Sequence, residues 1–185
     1  NRHLPLFILL VIQPLLSHCQ QSMLPTKLSS DTIQIVELPA QWYVGVRKSL
    51  STEEPAAISK FIGPAYGQIM EQLGPQGIKP LGPPMTHTYN YTEDSIDIEA
   101  AFPVGEEANV NEPVICKQRP AGKAVGLLHI GSYEKLGETY NKLQEYLKDQ
   151  DMLQENMLGI EIYITDPGEN EDTSTWRTEV YYLLP

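Results

Sequence analysis

The residues of this chain that could do chemistry are mostly carboxylates and aromatics on extended runs. In Thr178-Glu-Val-Tyr-Tyr182, alternation puts Glu179 and Tyr181 on one side and Val180 and Tyr182 on the other. If Val180 and Tyr182 pack under helices, a carboxylate edged by an aromatic faces the open side of a sheet, where it can neutralise a cation. Glu99 lies in a similar run, Ser95 to Phe102. Two carboxylates in one cleft would raise each other's pKa and supply acid–base chemistry, with Tyr163 orienting substrate or water. Tyr163, Tyr89, Trp42 and Trp176 offer rigid aromatic surface for the wall of a groove. Tyr163 is the foremost of these, because its neighbouring strand is expected to carry Glu179. The plain alternatives are a solvated glutamate and aromatics that simply fill a core. Glu161, between Ile160 and Ile162, alternates the wrong way to join the set.

Other chemistries are poorly served. The two cysteines, Cys19 and Cys116, make neither a CxxC pair nor a disulfide framework. The four histidines show no spaced metal motif, so no metal or other cofactor is expected. His129 has no Ser or Cys nucleophile and acid partner arranged around it in sequence, and a capping or surface role suits it. The formal charge is -11, and no concentrated basic patch exists to neutralise phosphates, so nucleic acid is not an expected ligand.

These residues need elements to hold them. Extended runs cover Ile33 to Leu38 and Trp42 to Arg47, the second read as a continuation of the first across a bend at Pro39. A helix is predicted from Pro55 to Leu73, with Ile58, Ile62, Tyr66, Ile69 and Leu73 as its apolar stripe and a kink near Gly63-Pro64. Thr86 to Tyr91 and Ser95 to Phe102 read as paired strands. Val114 to Gln118 and Val125 to Ile130 follow. A second helix runs from Tyr133 to Lys148 on the stripe Tyr133, Leu136, Tyr140, Leu143, Leu147. Gly159 to Ile164 and Thr175 to Leu184 are the last strands.

The pattern repeats. Pro39 to Val46 matches Pro120 to Leu127, Tyr66, Ile69, Leu73 and Tyr89 match Tyr140, Leu143, Leu147 and Tyr163, and Glu99 matches Glu179. The expected fold is α+β: duplicated β-α-β-β units, about 32–113 and 114–185, forming an antiparallel-rich sheet. Two helices cover one face, and a ligand groove lies between the halves.

Ahead of this domain, Leu4 to Leu16 is an apolar run too short to span a bilayer and fits a signal-peptide core over residues 1–19. Leu15-Leu-Ser-His-Cys19 resembles a lipoprotein cleavage box with Cys19 as the lipidated residue, and residues 20–31 would be a polar tether. The expectation is an exported protein, periplasmic or membrane-attached through that leader or lipid.

Residues 32–185 resemble the gyrase-inhibitor-like (GyrI-like) small-molecule-binding domain, also the effector-binding part of AraC-type and MerR-type multidrug regulators. The resemblance rests on Val36-Glu-Leu-Pro39, His129-Ile-Gly-Ser-Tyr-Glu134, Glu161-Ile-Tyr-Ile-Thr-Asp-Pro167 and Thr178-Glu-Val-Tyr-Tyr-Leu-Leu-Pro185. It implies a groove for lipophilic, often cationic compounds, with Glu179 meeting the positive charge. Some relatives are hydrolases that use acidic and aromatic groups in the same groove. With no helix-turn-helix seen, a transcription factor is not expected. Three functions follow: a non-enzymatic binder of a small lipophilic cation, a hydrolase using Glu179 and Glu99, or an acidic module that meets a basic protein.

Overall fold

The computed structural model describes residues 27–54 and 56–185. The apolar leader, Cys19, most of the tether and Pro55 lie outside the described residues.

The elements are β1 (Gln34–Leu38), β2 (Gln41–Ser51), α1 (Ala57–Leu73), β3 (Met85–Tyr91), β4 (Ser95–Val104), β5 (Val114–Arg119), β6 (Gly122–Ile130), α2 (Leu136–Asp149), β7 (Gly159–Tyr163) and β8 (Arg177–Leu183). The strands form one sheet in the order β1-β6-β8-β7-β3-β4-β2-β5, antiparallel at every step. The duplication is real: β2-α1-β3-β4 and β6-α2-β7-β8 meet where β3 pairs with β7.

Both helices cover the same face because their apolar stripes need it. Ala65, Ile69 and Leu73 of α1 pack on Val44, Val46, Ala100 and Val104. Leu136, Leu143 and Leu147 of α2 pack on Val125, Leu127 and Val180. The stripe of α1 is shorter than expected, since Ile58 is exposed. Pro64 lies within α1 instead of ending it. Proline removes one backbone hydrogen bond, and packing against the sheet holds the helix through that loss.

The leading strands overturn one expectation. β1 does not continue into β2. It pairs with β6 at one end of the sheet, whereas β2 lies next to the other end, between β4 and β5. Only Pro39 and Ala40 separate them, so Leu38 and Gln41 are at most about 11 Å apart. Pro120 and Ala121 make the same jump from β5 to β6. Arg119 ties the seam by donating from Nη2 to the carbonyl of Pro39 at 2.8 Å. A sheet whose two ends are joined by such short links must curl, with the helices outside.

The curl buries the face turned away from the helices. Tyr43, Met85, Ala101, Leu128, Ile160 and Tyr181 are all buried there. The open groove expected on that face is therefore filled by its own side chains. Two glycines at matching repeat positions make room. A Cβ on Gly126 would stand 2.6 Å from the Tyr181 ring, and one on Gly45 would stand 2.9 Å from the Glu99 side chain. Neither position has space for a larger residue.

Candidate functional site between the helices and the sheet

Two carboxylates organise the polar chemistry, one on each face. On the helix side, Glu161 of β7 is half-buried and lies opposite Thr86 of β3. Tyr140 of α2 donates to its Oε1 at 2.6 Å and Tyr163 donates to its Oε2 at 2.5 Å. The Tyr163 hydroxyl also meets Thr86 Oγ1 at 3.1 Å. Tyr66, from α1 in the other half, reaches across to the carbonyl of Met85 at 3.1 Å. Tyr133 stacks edge-on against Tyr163 at 5.2 Å and lies 4.8 Å from Trp176. Tyr182 packs against Tyr140 at 5.7 Å. The result is a carboxylate ringed by aromatic groups from both halves.

Electrostatics tie this ring together. Burial first, and the nearby Glu161 charge second, push the phenols of Tyr66, Tyr140 and Tyr163 above their ordinary range. These tyrosines stay protonated and act as donors. A negatively charged oxygen faced by rigid aromatic rings is suited to a lipophilic cation, through charge and through ring quadrupoles.

On the inner face, Glu99 of β4 is fully buried. Tyr89 donates to its Oε2 at 2.5 Å, His87 Nδ1 lies 3.5 Å from the same oxygen, and Lys117 Nζ lies 3.7 Å from Oε1. Burial raises the Glu99 carboxyl, but His87, Tyr89 and Lys117 together outweigh it and hold the group below the usual range. Arg47 covers Tyr89, 3.6 Å above its ring, and pairs with Asp97 through both carboxylate oxygens.

The residues singled out from sequence divide between these places. Tyr163 and Trp176 join the ring around Glu161. Trp42 is on the helix side but packs against the core under α1. Tyr89 belongs to Glu99. Tyr181 is buried on the inner face and donates to Glu179 at 2.8 Å. Tyr163 and Glu179 do not line one groove: β8 places Thr178 opposite Tyr163 and Glu179 opposite Ile162, on the other face. Glu99 and Glu179 share the inner face but stand three strand steps apart, about 14 Å of sheet. The repeat match of Tyr89 to Tyr163 also fails in space, since their hydroxyls serve carboxylates on opposite faces.

Sequence reasoning passed over Glu161, Tyr66, Tyr133, Tyr140 and Tyr182 as site residues. The signal was present. Ile160 and Ile162 point into the inner core, so the residue between them has to point towards the helices. Tyr133 and Tyr140 stood on the stripe of α2. His129, read as a cap or surface residue, is a buried tie: Nδ1 meets Thr139 Oγ1 at 2.8 Å and Nε2 meets the Ser132 carbonyl at 3.0 Å, fixing β6 to the start of α2.

Comparison with known proteins places this arrangement. A search of curated proteins returns no match. The crystal structure of the EcmrR C-terminal domain is similar at 23% identity and TM-score 0.72, covering 88% of this chain and 99% of that one. EcmrR in complex with DNA is similar at 24% identity and TM-score 0.69, covering 83% of this chain and 57% of that chain. SAV2435 bound to tetraphenylphosphonium is similar at 10% identity and TM-score 0.61, covering 83% and 94%. At these identities the likeness is one of fold.

The expectation of an exported lipoprotein is corrected by the same comparison. A protein of this fold is found in a complex with DNA, a setting opposed to a signal peptide, a lipid anchor or a place outside the cell membrane. Among the described residues, no helix is long and apolar enough to cross a membrane. Residues 31–184 match the GyrI-like small molecule binding domain, and the chain belongs to that family.

Proposed function

We propose that this domain binds a lipophilic cation over Glu161, without altering it chemically. The observation that carries the reading is a carboxylate held by two phenol hydroxyls, with Tyr133 and Trp176 beside it from its own half and Tyr66 near it from the other. The rings supply apolar contact and quadrupole attraction, and Glu161 supplies the opposing charge. The charge-reading role expected of Glu179 passes to Glu161, which faces the aromatic ring that Glu179 does not. The structure of SAV2435 with tetraphenylphosphonium supports this class of ligand for the fold. A hydrolase built on Glu99 and Glu179 is less well supported, because those two groups do not meet.

In this reading, Tyr133 and Trp176 are the wall and Tyr140 and Tyr163 the floor. A cation lying over Glu161 satisfies the carboxylate without displacing the two phenol donors. Titration calorimetry with tetraphenylphosphonium tests the reading. Saturable binding is expected, with a loss of about 10- to 100-fold in Glu161→Gln, in line with the ~1.5–3 kcal/mol of a charge-assisted contact. Glu179→Gln is expected to bind as the parent does. Equal losses in both variants, or recovery of altered ligand where a reactive analogue is used, would overturn it.

A further inference from the structure

Strand β3 touches both carboxylate centres in consecutive residues. The Met85 carbonyl accepts from Tyr66, and Thr86 Oγ1 meets the Tyr163 hydroxyl that donates to Glu161. The next residue, His87, points to the inner face, where it lies directly across from Glu99. The two faces thus share one short length of backbone in the middle of the sheet.

The inner centre is incompletely satisfied. His87 Nδ1 and Glu99 Oε1 are buried and have no hydrogen-bond partner. Their nearest opposites stand at 3.5 and 3.7 Å, just beyond hydrogen-bond length. Gly45 gives Glu99 space that no other residue would leave. A buried pair held slightly apart has a closer arrangement available once a proton is added.

We infer that the His87–Glu99 pair is a proton-linked control element for the aromatic site. A proton taken from solvent onto His87 turns a loose contact into an ion pair and draws the His87 side chain towards Glu99. Thr86, Tyr163 and Glu161 then shift with β3, so that proton uptake and cation binding influence each other, as linkage requires. What is controlled rests on the reading of the Glu161 site given above.

The groups that face this pair are accounted for. From β2, Tyr43 packs edge-on against His87 at 4.6 Å, and Arg47 is engaged by Asp97 of β4. From β3, Tyr89 is a donor to Glu99. From β5, Lys117, 40% exposed, lies 3.7 Å from Glu99 Oε1, and Arg119 lies near Tyr43. Arg47 is taken up by Asp97 and Lys117 stands by Glu99 Oε1, so Glu99 Oε2 is the oxygen that meets a proton on His87.

The test is two-dimensional NMR of the full chain across roughly pH 5 to 8, the span in which histidine acts as a switch. The ring signals of His87 and Tyr163 and the amide of Thr86 are expected to move with one midpoint. In Glu99→Gln and His87→Gln, the Tyr163 and Thr86 movements should vanish. If either variant fails to fold, Lys117→Gln decides: losing that cation raises the His87 midpoint, and the Tyr163 midpoint must rise with it. A Tyr163 signal that stays still while His87 titrates overturns the inference. So does a His87 that never titrates, or a Tyr163 movement that survives in the variants. Tetraphenylphosphonium carries a permanent charge, so its affinity should change across the same midpoint in the parent only. Its failure to bind would overturn the reading of the Glu161 site, while the NMR comparison still decides the link.

Discussion

Glu161 and Glu99 are both glutamates on central strands, each held by tyrosine hydroxyls, yet their surroundings differ. Glu161 lies between the sheet and the helices, with aromatic rings as neighbours. Glu99 lies inside the curl of the sheet, with a histidine, a lysine and a glycine cradle as neighbours. The difference teaches that a carboxylate's role follows from what can move around it. A helix-covered face can open without breaking strand pairing, whereas the inner face of this curled, open sheet is lined by the strands themselves. In the functions proposed above, the outer carboxylate serves recognition and the inner one stability and protonic coupling.

The sharpest way to break this contrast is to remove the inner group. Glu99→Ala leaves His87 and Lys117 without their partner and is expected to cost about 3–5 kcal/mol in urea unfolding at neutral pH. Glu161→Gln should cost far less stability than that. A cost for Glu161→Gln as large as that for Glu99→Ala would make both carboxylates structural. The pH dependence follows from the lowered carboxyl of Glu99. A depressed folded-state pKa contributes stability above the unfolded value, and the contribution is lost as pH falls through the folded one. The stability gap between parent and Glu99→Gln should therefore be present at neutral pH and shrink as the solution is acidified below the usual carboxylate range.

The next effect sharpens the picture of the inner face. Gly126→Ala places a methyl 2.6 Å from the rigid Tyr181 ring, and Gly45→Ala places one 2.9 Å from the Glu99 side chain. Each is expected to cost about 1–3 kcal/mol, the first more than the second, read as a lowered thermal midpoint. Unchanged midpoints would mean that the inner face is looser than its packing suggests. The smallest effect belongs to the rim. Asp97→Asn loses a pair that is 26% and 39% exposed, and about 0–1 kcal/mol is expected by the same unfolding measurement. A larger loss would place Arg47 and Asp97 within the inner centre and not merely over it.

Much of the architecture could be read from the chain. Alternation in β4, β7 and β8 located the strands within a residue or two, and the three-four spacing of Leu136, Tyr140, Leu143 and Leu147 located α2. The repeat showed itself in Pro39 to Val46 and Pro120 to Leu127. These are local properties: a period of two or of 3.6 residues is written along the backbone wherever one face must be apolar. Alternation also stated that Glu179 and Tyr181 share a face and that Val180 lies on the other.

What alternation cannot state is which face belongs to which side of the molecule and what lies above it. Pro39-Ala40 and Pro120-Ala121 look like bends within a strand, and only their destinations at opposite ends of the sheet reveal the curl. That curl turned the expected open face, which carries Glu179 and Tyr181, into an interior. Glu161 meets its aromatics because β7 sits at the centre of the sheet, where α1 and α2 bring Tyr66 and Tyr140 from positions 74 residues apart. The sequence by itself determined the elements, the repeat and the alternating faces, because these depend on neighbours along the chain. The tertiary structure alone decided which carboxylate meets the aromatics, because that meeting depends on strand order and curvature, which arise from contacts distant in sequence.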